Sequence, residues 1–430
     1  MRKLGGLVAL VALVFGLQAP LASALTHSPP PDDELPASQD NGGEGRVDNL
    51  NKPDIAPKVA CNKPSATGSQ IVRRLPRGPM RPDDKSRLAF TSGVCIYLPP
   101  GYSTATRYPV LYLMHGGGGD QADWVNFGSL QKTGDLFASK GHPLIIVMPD
   151  GDNGVWYDSP RVDPTAPDAF VLNETYVIRY VIPFVDRHYS TIADRRGRIV
   201  SGLSNGGLGA FVFAAKHPDL FAAASSMSGN LGGYEHDYDQ LDRPNYHDGN
   251  TPTPLAENLQ GIPLIQFCGG QPCGATDLSS NLCLAWGFEQ AFRYDNQNFH
   301  ATIESLGAGY SDQYEEREGS HSWIWWTQWL RDDHLPFLVA RVAPAEPARG
   351  KTAVSAAPAS WHYKTISPSF TIWGYSFTVT KAPQDTWISL TNVTAHTMTL
   401  EGTGHVAITT PRGTTIAVDL IDGTPRTIAT

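Results

Sequence analysis

The sequence feature with the clearest chemical meaning is a serine framed by glycines. The stretch GLSNG places Ser204 between Gly202 and Gly206. A short apolar run precedes it, and from Asn205 onward apolar residues recur at helical spacing. The pattern G-x-S-x-G on a strand-to-helix turn is the nucleophile elbow, which holds a serine hydroxyl above the sheet. The spacing therefore predicts a nucleophilic Ser204, with an ordinary turn serine as the alternative.

A run of glycines supplies the second element that such a serine needs. The stretch HGGGGDQADW follows the apolar run PVLYLM directly. Backbone N–H groups in a glycine run at this position can face a developing oxyanion. A phosphate-binding loop would end in G-K-[ST], whereas Asp120 follows the glycines here. The expected oxyanion donors are the N–H groups of Gly117 and Asn205, and a flexible hairpin is the alternative.

A serine hydroxyl becomes a good nucleophile when an imidazole accepts its proton. In the α/β-hydrolase order the acid and then the histidine follow the serine along the chain. The stretch GSHSWIWW indicates His321, in a Gly-Ser loop expected between an apolar strand and a helix. His217 lies at the end of the helix expected after Ser204, and His236 and His247 lie in a long polar segment. These positions favour His321 as the general base.

Two carboxylates are candidates for orienting that histidine. Asp277 lies on the loop after the apolar run PLIQFC, where such folds often place the acid. Glu289 lies 12 residues further on, in the helical segment LAWGFEQAF, and can approach the imidazole from the side. Either one would fix the tautomer of the histidine and stabilise its imidazolium form. The residues alone leave both candidates open.

Aromatic residues near these motifs are candidates for the walls of a substrate pocket, with ordinary core packing as the alternative for each. They are Trp124, Trp156, Tyr157, Trp323 and Trp325. A serine mechanism of this kind needs no metal and no organic cofactor. The net charge of −9 predicts no nucleic-acid partner, because an acidic protein repels phosphate backbones.

The elements that must position these residues follow an alternating pattern. Between about residues 87 and 341, short apolar runs alternate with longer helical patterns such as ETYVIRYVIPFVDRHY at 174–189. This order predicts an α/β fold with a mostly parallel sheet and helices on both faces. From residue 361 onward, apolar and polar residues alternate over short spans, which predicts a small all-β module.

The chain is therefore expected to contain five segments. They are a signal peptide at 1–24, a disordered lead-in at 25–64, an α/β-hydrolase catalytic domain at 65–341, a Pro/Ala-rich linker at 342–359 and an all-β module at 360–430. Basic residues, an apolar run and the small residues Ala22 and Ala24 indicate the signal peptide. No later window approaches the roughly 20 apolar residues that span a bilayer, so the mature chain is expected to be exported without a transmembrane segment.

The all-β module allows two expectations. If it is an independent unit, a chain ending near Ala345 keeps its fold and its catalytic residues, which all precede that point. If its apolar face packs on the catalytic domain instead, the same truncation destabilises the enzyme.

Five cysteines fit an exported chain, and their odd number leaves at least one unpaired. Cys273 and Cys283 close a short loop and are the first expected pair. Cys61 with Cys95 is the second. Cys268 ends the apolar run PLIQFC and is expected to be a buried thiol.

Taken together, the motifs resemble those of a known family. The region from Leu88 to about Val339 is similar to the esterase D and feruloyl esterase-like branch of the α/β-hydrolases, which also contains the secreted mycolyltransferases. The shared features are LYLMHGGGGDQADW, VMPDGDNGVWY, SGLSNGG and GSHSWIWW. The stretch from CGGQPCGATDLSSN to GSHSWIWW looks most like the mycolyltransferases, in which a helix glutamate is the acid. That resemblance implies Glu289 in preference to Asp277.

Other features resemble the hydrolytic esterases more closely. These are the four-glycine run and the Asn-Gly-Gly after the serine, and the all-β tail belongs to the common fold of neither group. The resemblance implies a secreted serine hydrolase that cleaves carboxylic esters, of a small molecule or of the cell envelope, through an acyl-enzyme. The alternatives are an acyltransferase that passes the acyl group to an alcohol, and a non-catalytic envelope-binding protein in which the β module is the functional part.

Overall fold

The computed structural model shows an α/β region, which corresponds to the predicted catalytic domain and is named the catalytic region, followed by a β module. It describes residues 61, 63–74, 76, 93–151, 156–160, 170–233, 245–270, 282–348, 355–380, 386–421 and 423–430. The predicted signal peptide and almost all of the predicted lead-in lie outside these residues.

The catalytic region contains thirteen described strands and eight described α-helices. The strands are β1 (Lys63–Pro64), β2 (Gln70–Arg74), β3 (Val94–Leu98), β4 (Thr106–Arg107), β5 (Val110–Met114), β6 (Ile145–Pro149), β7 (Asp158–Pro160), β8 (Phe170–Leu172), β9 (Arg198–Leu203), β10 (Ala223–Met227), β11 (Pro263–Gly269), β12 (Ser311–Arg317) and β13 (Glu346–Pro347). The helices are α1 (Asp123–Asn126), α2 (Leu130–Ser139), α3 (Asn173–Tyr176), α4 (Ile182–His188), α5 (Asn205–Lys216), α6 (Leu282–Leu306), α7 (Trp323–Trp329) and α8 (Leu335–Val339). Among the described helices, none is both long enough and apolar enough to cross a membrane.

Nine of these strands form one sheet, in the order β1-β2-β3-β6-β5-β9-β10-β11-β12. In this sheet order, every pair of neighbouring strands from β6 to β12 is parallel. Strands β1, β2 and β3 join at the other edge in antiparallel pairs. Buried side chains of β5 alternate between two hydrophobic clusters, with Tyr112 in one and Leu111 in the other. Because helices contribute to both clusters, the sheet is covered on both faces. The predicted α/β class is confirmed.

Two elements differ in detail from their predictions. The helix predicted at 174–189 is present, but a π-helical segment at Val177–Val181 lies between α3 and α4. The strand before His321, predicted to be apolar, is instead the polar strand β12, with the sequence SDQYEER. Since β12 is the last strand of the sheet, no other described strand pairs with its outer edge, and its side chains remain partly exposed.

The second of the two expected cysteine pairs is present in the described residues. A disulfide joins Cys61 to Cys95 on β3, with their Cα atoms 5.6 Å apart. Cys268 is a buried, unpaired thiol, as predicted, and burial raises its pKa. Cys273 and the side chain of Cys283 lie outside the described residues, so that pair stays a prediction.

The β module is a sandwich of two antiparallel four-stranded sheets. Its strands are β14 (Trp361–Thr365), β15 (Ser369–Ile372), β16 (Tyr375–Thr380), β17 (Ile388–Val393), β18 (Thr397–Glu401), β19 (Gly404–Thr409), β20 (Thr415–Leu420) and β21 (Arg426–Ala429). One sheet has the order β14-β17-β18-β21 and the other β15-β16-β19-β20. The alternating residues bury one face of each sheet in a shared core, so the predicted all-β architecture is confirmed.

Part of the predicted linker is bonded to the catalytic region. Strand β13 pairs in antiparallel fashion with β4, and the N–H of Ala348 donates to the carbonyl of Ala105 at 2.8 Å. The N–H of Ala343 donates to the carbonyl of Arg196, also at 2.8 Å. The Pro/Ala composition of 342–359 does not predict these bonds.

The first strand of the module also bonds to the catalytic region. The Tyr363 hydroxyl donates to the carbonyl of Lys216, the last residue of α5, at 2.8 Å. The backbone of Lys364 makes a reciprocal pair of bonds with the Asn258 amide, at 2.8 and 2.9 Å. The N–H of Trp373 donates to the Asp219 carboxylate at 3.1 Å.

Apolar contacts continue this interface. Ile366, just after β14, is buried in a cluster with Leu208 and Val212 of α5 and with Tyr157 and Tyr246. These contacts favour the second expectation for the module, in which it packs on the catalytic domain and stabilises it.

We expect deletion of residues 349–430 to lower the melting temperature of the remaining chain by on the order of 5–10 °C, because several hydrogen bonds and a buried apolar contact are lost. Circular dichroism at 222 nm measures this directly, since all of the described helices precede residue 349. Tyr363→Phe should lower the same transition by a few degrees. Tyr375→Phe is the matched control, because it removes a hydroxyl that bonds within the module. An unchanged transition after the deletion would show that the module is independent.

Candidate active site

Ser204 occupies the strand-to-helix turn that the sequence predicts, between β9 and α5. Its φ of +54° lies in the left-handed region, where residues with a Cβ are strained. The turn is held by its own backbone, because the N–H of Ser204 donates to the carbonyl of Met227 at 2.9 Å. A Cβ at Gly202 would overlap the backbone of Gly206, which explains why glycine is needed there. The local geometry is that of a nucleophile elbow.

The glycine loop after β5 packs directly against this elbow. A Cβ at Gly206 would lie 2.5 Å from the carbonyl oxygen of His115, and a Cβ at Gly116 would lie 3.2 Å from the Cβ of Ser204. Gly117 is the next residue of the loop and is half-buried. Asn205 is the first residue of α5, so its N–H lies at the positive end of that helix dipole.

His115 fixes this loop, and the sequence analysis did not single it out. Its Nδ1 donates to the carbonyl of Gly116 at 2.7 Å, and its Nε2 accepts the N–H of Gly151 at 2.9 Å. The Gly151 N–H can only donate, so the ring carries its proton on Nδ1. The indole N–H of Trp156 donates to the His115 carbonyl at 3.0 Å. The only signal in the sequence is the position of His115 at the head of the glycine run.

Glu289 and His321 meet in the interior. The Nδ1 of His321 lies 3.0 Å from Oε2 of Glu289, and both residues are buried. This bond places the imidazole proton on Nδ1, so Nε2 carries the lone pair. Asp277, the alternative acid, lies outside the described residues.

The second oxygen of Glu289 is also bonded. Its Oε1 accepts the Ser228 hydroxyl at 2.9 Å and also accepts the N–H of Gly269. The carboxylate therefore has hydrogen-bond partners on both oxygens, as a buried charged group requires.

Aromatic rings enclose the imidazole of His321. Trp326 stands almost perpendicular to it, with ring centroids 4.8 Å apart. Phe292 lies 5.1 Å away on α6. These contacts restrict the orientation of the ring beyond what the bond to Glu289 provides.

The topology of the sheet explains how these residues come to one place. Ser204, Ser228, Gly269 and His321 lie at or just after the carboxyl ends of β9, β10, β11 and β12. These four strands are parallel neighbours, so their carboxyl ends share one edge of the sheet. Such an edge is where α/β folds build their sites.

Four of the five aromatic residues predicted to line a substrate pocket are buried, whereas Trp325 is only partly buried. Trp124, Trp156, Tyr157 and Trp323 are each no more than 2% exposed. The indole of Trp124 donates to the carbonyl of Met114 at 3.1 Å and packs edge-on against Trp323 at 5.1 Å. This burial favours the packing alternative, in which these rings support the loops around Ser204.

Among the other described histidines that follow the serine, His217, His247 and His300 have separate hydrogen-bond partners. His217 directly follows α5 and its Nε2 lies 2.9 Å from Glu174, which agrees with a helix-end role. His300 pairs with Asp312 at 3.0 Å. His334 is buried, and burial together with the nearby Arg317 lowers its pKa to about 3, so it is neutral at pH 7.

Comparison with known proteins identifies the family. A family model described as a putative esterase matches residues 87–337, which is more than half of the chain. The chain belongs to this esterase family. The resemblance drawn from the sequence motifs is thereby confirmed, and the matched region holds Ser204, Glu289 and His321.

Individual relatives match parts of this chain. It is 41% identical over 145 residues to Esterase Rv1288 of Mycobacterium tuberculosis strain H37Rv, an alignment that covers 34% of this chain and 30% of that protein. It is 32% identical over 142 residues to an endo-1,4-beta-xylanase/feruloyl esterase of Xylanibacter ruminicola, covering 31% of this chain and 19% of that protein. The chain thus aligns with less than a third of the length of either relative. A solved ferulic acid esterase matches with 23% identity and a TM-score of 0.47, covering 63% of this chain and 98% of that one.

The contact between the glycine loop and the elbow leads to a prediction for Gly206→Ala. The new Cβ would push against backbone carbonyls of Met114 and His115, which cannot rotate away, so the loop should move off the serine. We expect kcat for a soluble p-nitrophenyl ester to fall about 100-fold, as when an oxyanion donor is lost.

The control is Gly134→Ala on α2, where a new Cβ would lie 2.5 Å from the ring of Tyr97 and away from the elbow. It should keep its activity. Equal activity of the two variants would show that the close contact at Gly206 has no part in catalysis.

Proposed function

We propose that this esterase hydrolyses carboxylic esters through an acyl-enzyme on Ser204. The observation that carries the proposal is the buried hydrogen bond between His321 and Glu289, at the sheet edge where the elbow places Ser204. Membership of the esterase family supports the reaction class.

In the first half of the reaction, Ser204 Oγ attacks the ester carbonyl carbon while His321 Nε2 takes the hydroxyl proton. The carbonyl oxygen becomes an oxyanion, which the N–H groups of Gly117 and Asn205 stabilise by roughly 3 kcal/mol each. The tetrahedral intermediate then breaks its bond to the alcohol oxygen. That oxygen leaves with the proton from His321, and the acyl group remains on Ser204.

In the second half, a water molecule replaces the alcohol. His321 Nε2 takes a proton from the water as its oxygen attacks the acyl carbon, and the same two N–H groups receive the new oxyanion. The bond to Ser204 Oγ breaks, the serine recovers its proton from His321, and the carboxylic acid is released. Glu289 acts in both halves by orienting His321 and stabilising its imidazolium form.

We also propose that the enzyme is exported and acts on an ester of a small molecule or of the cell envelope. The basic and apolar N-terminal pattern at 1–24 supports export. The disulfide between Cys61 and Cys95 supports it as well, because such bonds persist in oxidising compartments.

Ser204→Ala should abolish hydrolysis of short p-nitrophenyl esters while the fold remains intact, since the nucleophile is lost and little packing changes. We expect a loss on the order of 10⁴- to 10⁶-fold in kcat. Near-ultraviolet circular dichroism of the variant verifies the fold. A rate close to that of the wild type would show that Ser204 is not the nucleophile.

Replacing each candidate acid by its amide identifies which one acts. Glu289→Gln keeps the shape of the side chain but removes the charge that faces His321, so kcat should fall on the order of 10³- to 10⁴-fold. Asp277→Asn should change kcat by less than about threefold, because Glu289 already bonds Nδ1 of His321. The reverse order of effects would identify Asp277 as the acid.

A further inference from the structure

Ser228 is a buried serine beside the proposed triad to which the mechanism above gives no role. It directly follows β10, its side chain is fully buried, and its φ is +49°. Its N–H donates to the carbonyl of Phe267 on β11 at 2.7 Å, which anchors its backbone. A residue with a Cβ is strained at this φ, whereas glycine would not be.

The hydroxyl of Ser228 links an indole to the carboxylate. The Nε1 of Trp326 lies 3.0 Å from Ser228 Oγ, and Ser228 Oγ lies 2.9 Å from Oε1 of Glu289. An indole N–H can only donate and a carboxylate can only accept. The hydroxyl must therefore accept from Trp326 and donate to Glu289, so the direction of both bonds is determined.

These bonds give the two oxygens of the Glu289 carboxylate different partners. Oε1 receives Ser228 and the N–H of Gly269, and Oε2 faces His321. Two donors on one oxygen resist rotation of the carboxylate plane. Without the Ser228 hydroxyl, the N–H of Gly269 would be the one donor to Oε1 left among the described residues to oppose that rotation.

Trp326 also contacts His321, the residue that Oε2 of Glu289 faces. Its ring packs edge-on against the imidazole of His321, while its Nε1 bonds to Ser228. Trp326 thus contacts the imidazole of His321 directly. It is linked to the carboxylate of Glu289 indirectly, through the Ser228 hydroxyl.

We propose that Ser228 and Trp326 are positioning residues that hold the Glu289 carboxylate in the orientation His321 requires. This inference rests on the proposed function of Glu289 and His321. It assigns the two residues no contact with substrate, because they act through the carboxylate and the imidazole.

The test measures kcat and KM for a p-nitrophenyl ester in Ser228→Ala and Ser228→Gly. We expect kcat to fall about tenfold in each, the effect of losing one hydrogen bond to a charged group. KM should change less than about twofold, because acylation and deacylation both use His321 and should slow together. Ser228→Gly also removes the strain at positive φ, so its melting temperature should be no lower than that of Ser228→Ala.

The matched control is Ser225→Ala on β10, the strand that Ser228 follows. Ser225 is also buried and donates its hydroxyl to Ser201 at 2.6 Å. This variant loses a buried hydrogen bond that does not involve the carboxylate, so its kcat should stay near that of the wild type. A fall in kcat equal to that of Ser228→Ala would reduce Ser228 to a structural role and overturn the inference.

A double-mutant cycle tests the link between the two residues. Trp326→Phe keeps a ring beside His321 but removes the N–H that orients the Ser228 hydroxyl. Its effect on kcat should largely disappear in the Ser228→Ala background, whereas fully additive effects would contradict the link. If Glu289→Gln retains full activity, the role proposed for Glu289 fails and the inference fails with it, whereas ester hydrolysis through Ser204 is unaffected. If Glu289→Gln is inactive and Ser228→Ala is as active as Ser225→Ala, the inference alone fails.

Discussion

The proposed site depends on one interaction, the hydrogen bond between buried Glu289 and buried His321. A carboxylate in the interior is costly unless donors satisfy its oxygens. Here the donors come from Ser228 after β10, from Gly269 at the end of β11 and from His321 beyond β12, while α6 supplies the carboxylate itself. Three neighbouring strands and one helix must therefore keep their relative positions so that the buried Glu289 carboxylate keeps its hydrogen-bond donors. The parallel sheet is what aligns their ends.

The elbow helix α5 connects this site to the rest of the protein. Its first residue follows Ser204, and its last residue, Lys216, forms a buried ion pair with Glu174. Burial alone would raise the pKa of Glu174, but Lys216 and His217 outweigh it and lower that pKa to about 2. The Tyr363 hydroxyl of the β module caps the Lys216 carbonyl. The module thus contacts the end of the helix opposite the nucleophile, and its effect on catalysis would pass through the stability of α5.

The sequence predicts the parts of the site that depend on local turn chemistry. Ser204 is recognisable because its glycines are close in the chain. Glu289 could be preferred over Asp277 only by resemblance, since its partner lies on another element. Ser228 carries no signal because its bonds to Glu289 and Trp326 join residues 61 and 98 positions away. For the same reason the chain pattern left docking of the module on the catalytic domain as one of two expectations, without naming α5. It also ranked the observed disulfide second.

The most direct test of the account is to map the covalent adduct that a fluorophosphonate forms with the full-length enzyme. The enzyme is inactivated, digested and analysed by tandem mass spectrometry, with the Glu289→Gln variant treated in parallel. We expect a single modified residue, Ser204, and much slower labelling in the variant. Modification at a different serine, or equally fast labelling of Ser204 in Glu289→Gln, would contradict the proposal that Glu289 and His321 activate Ser204.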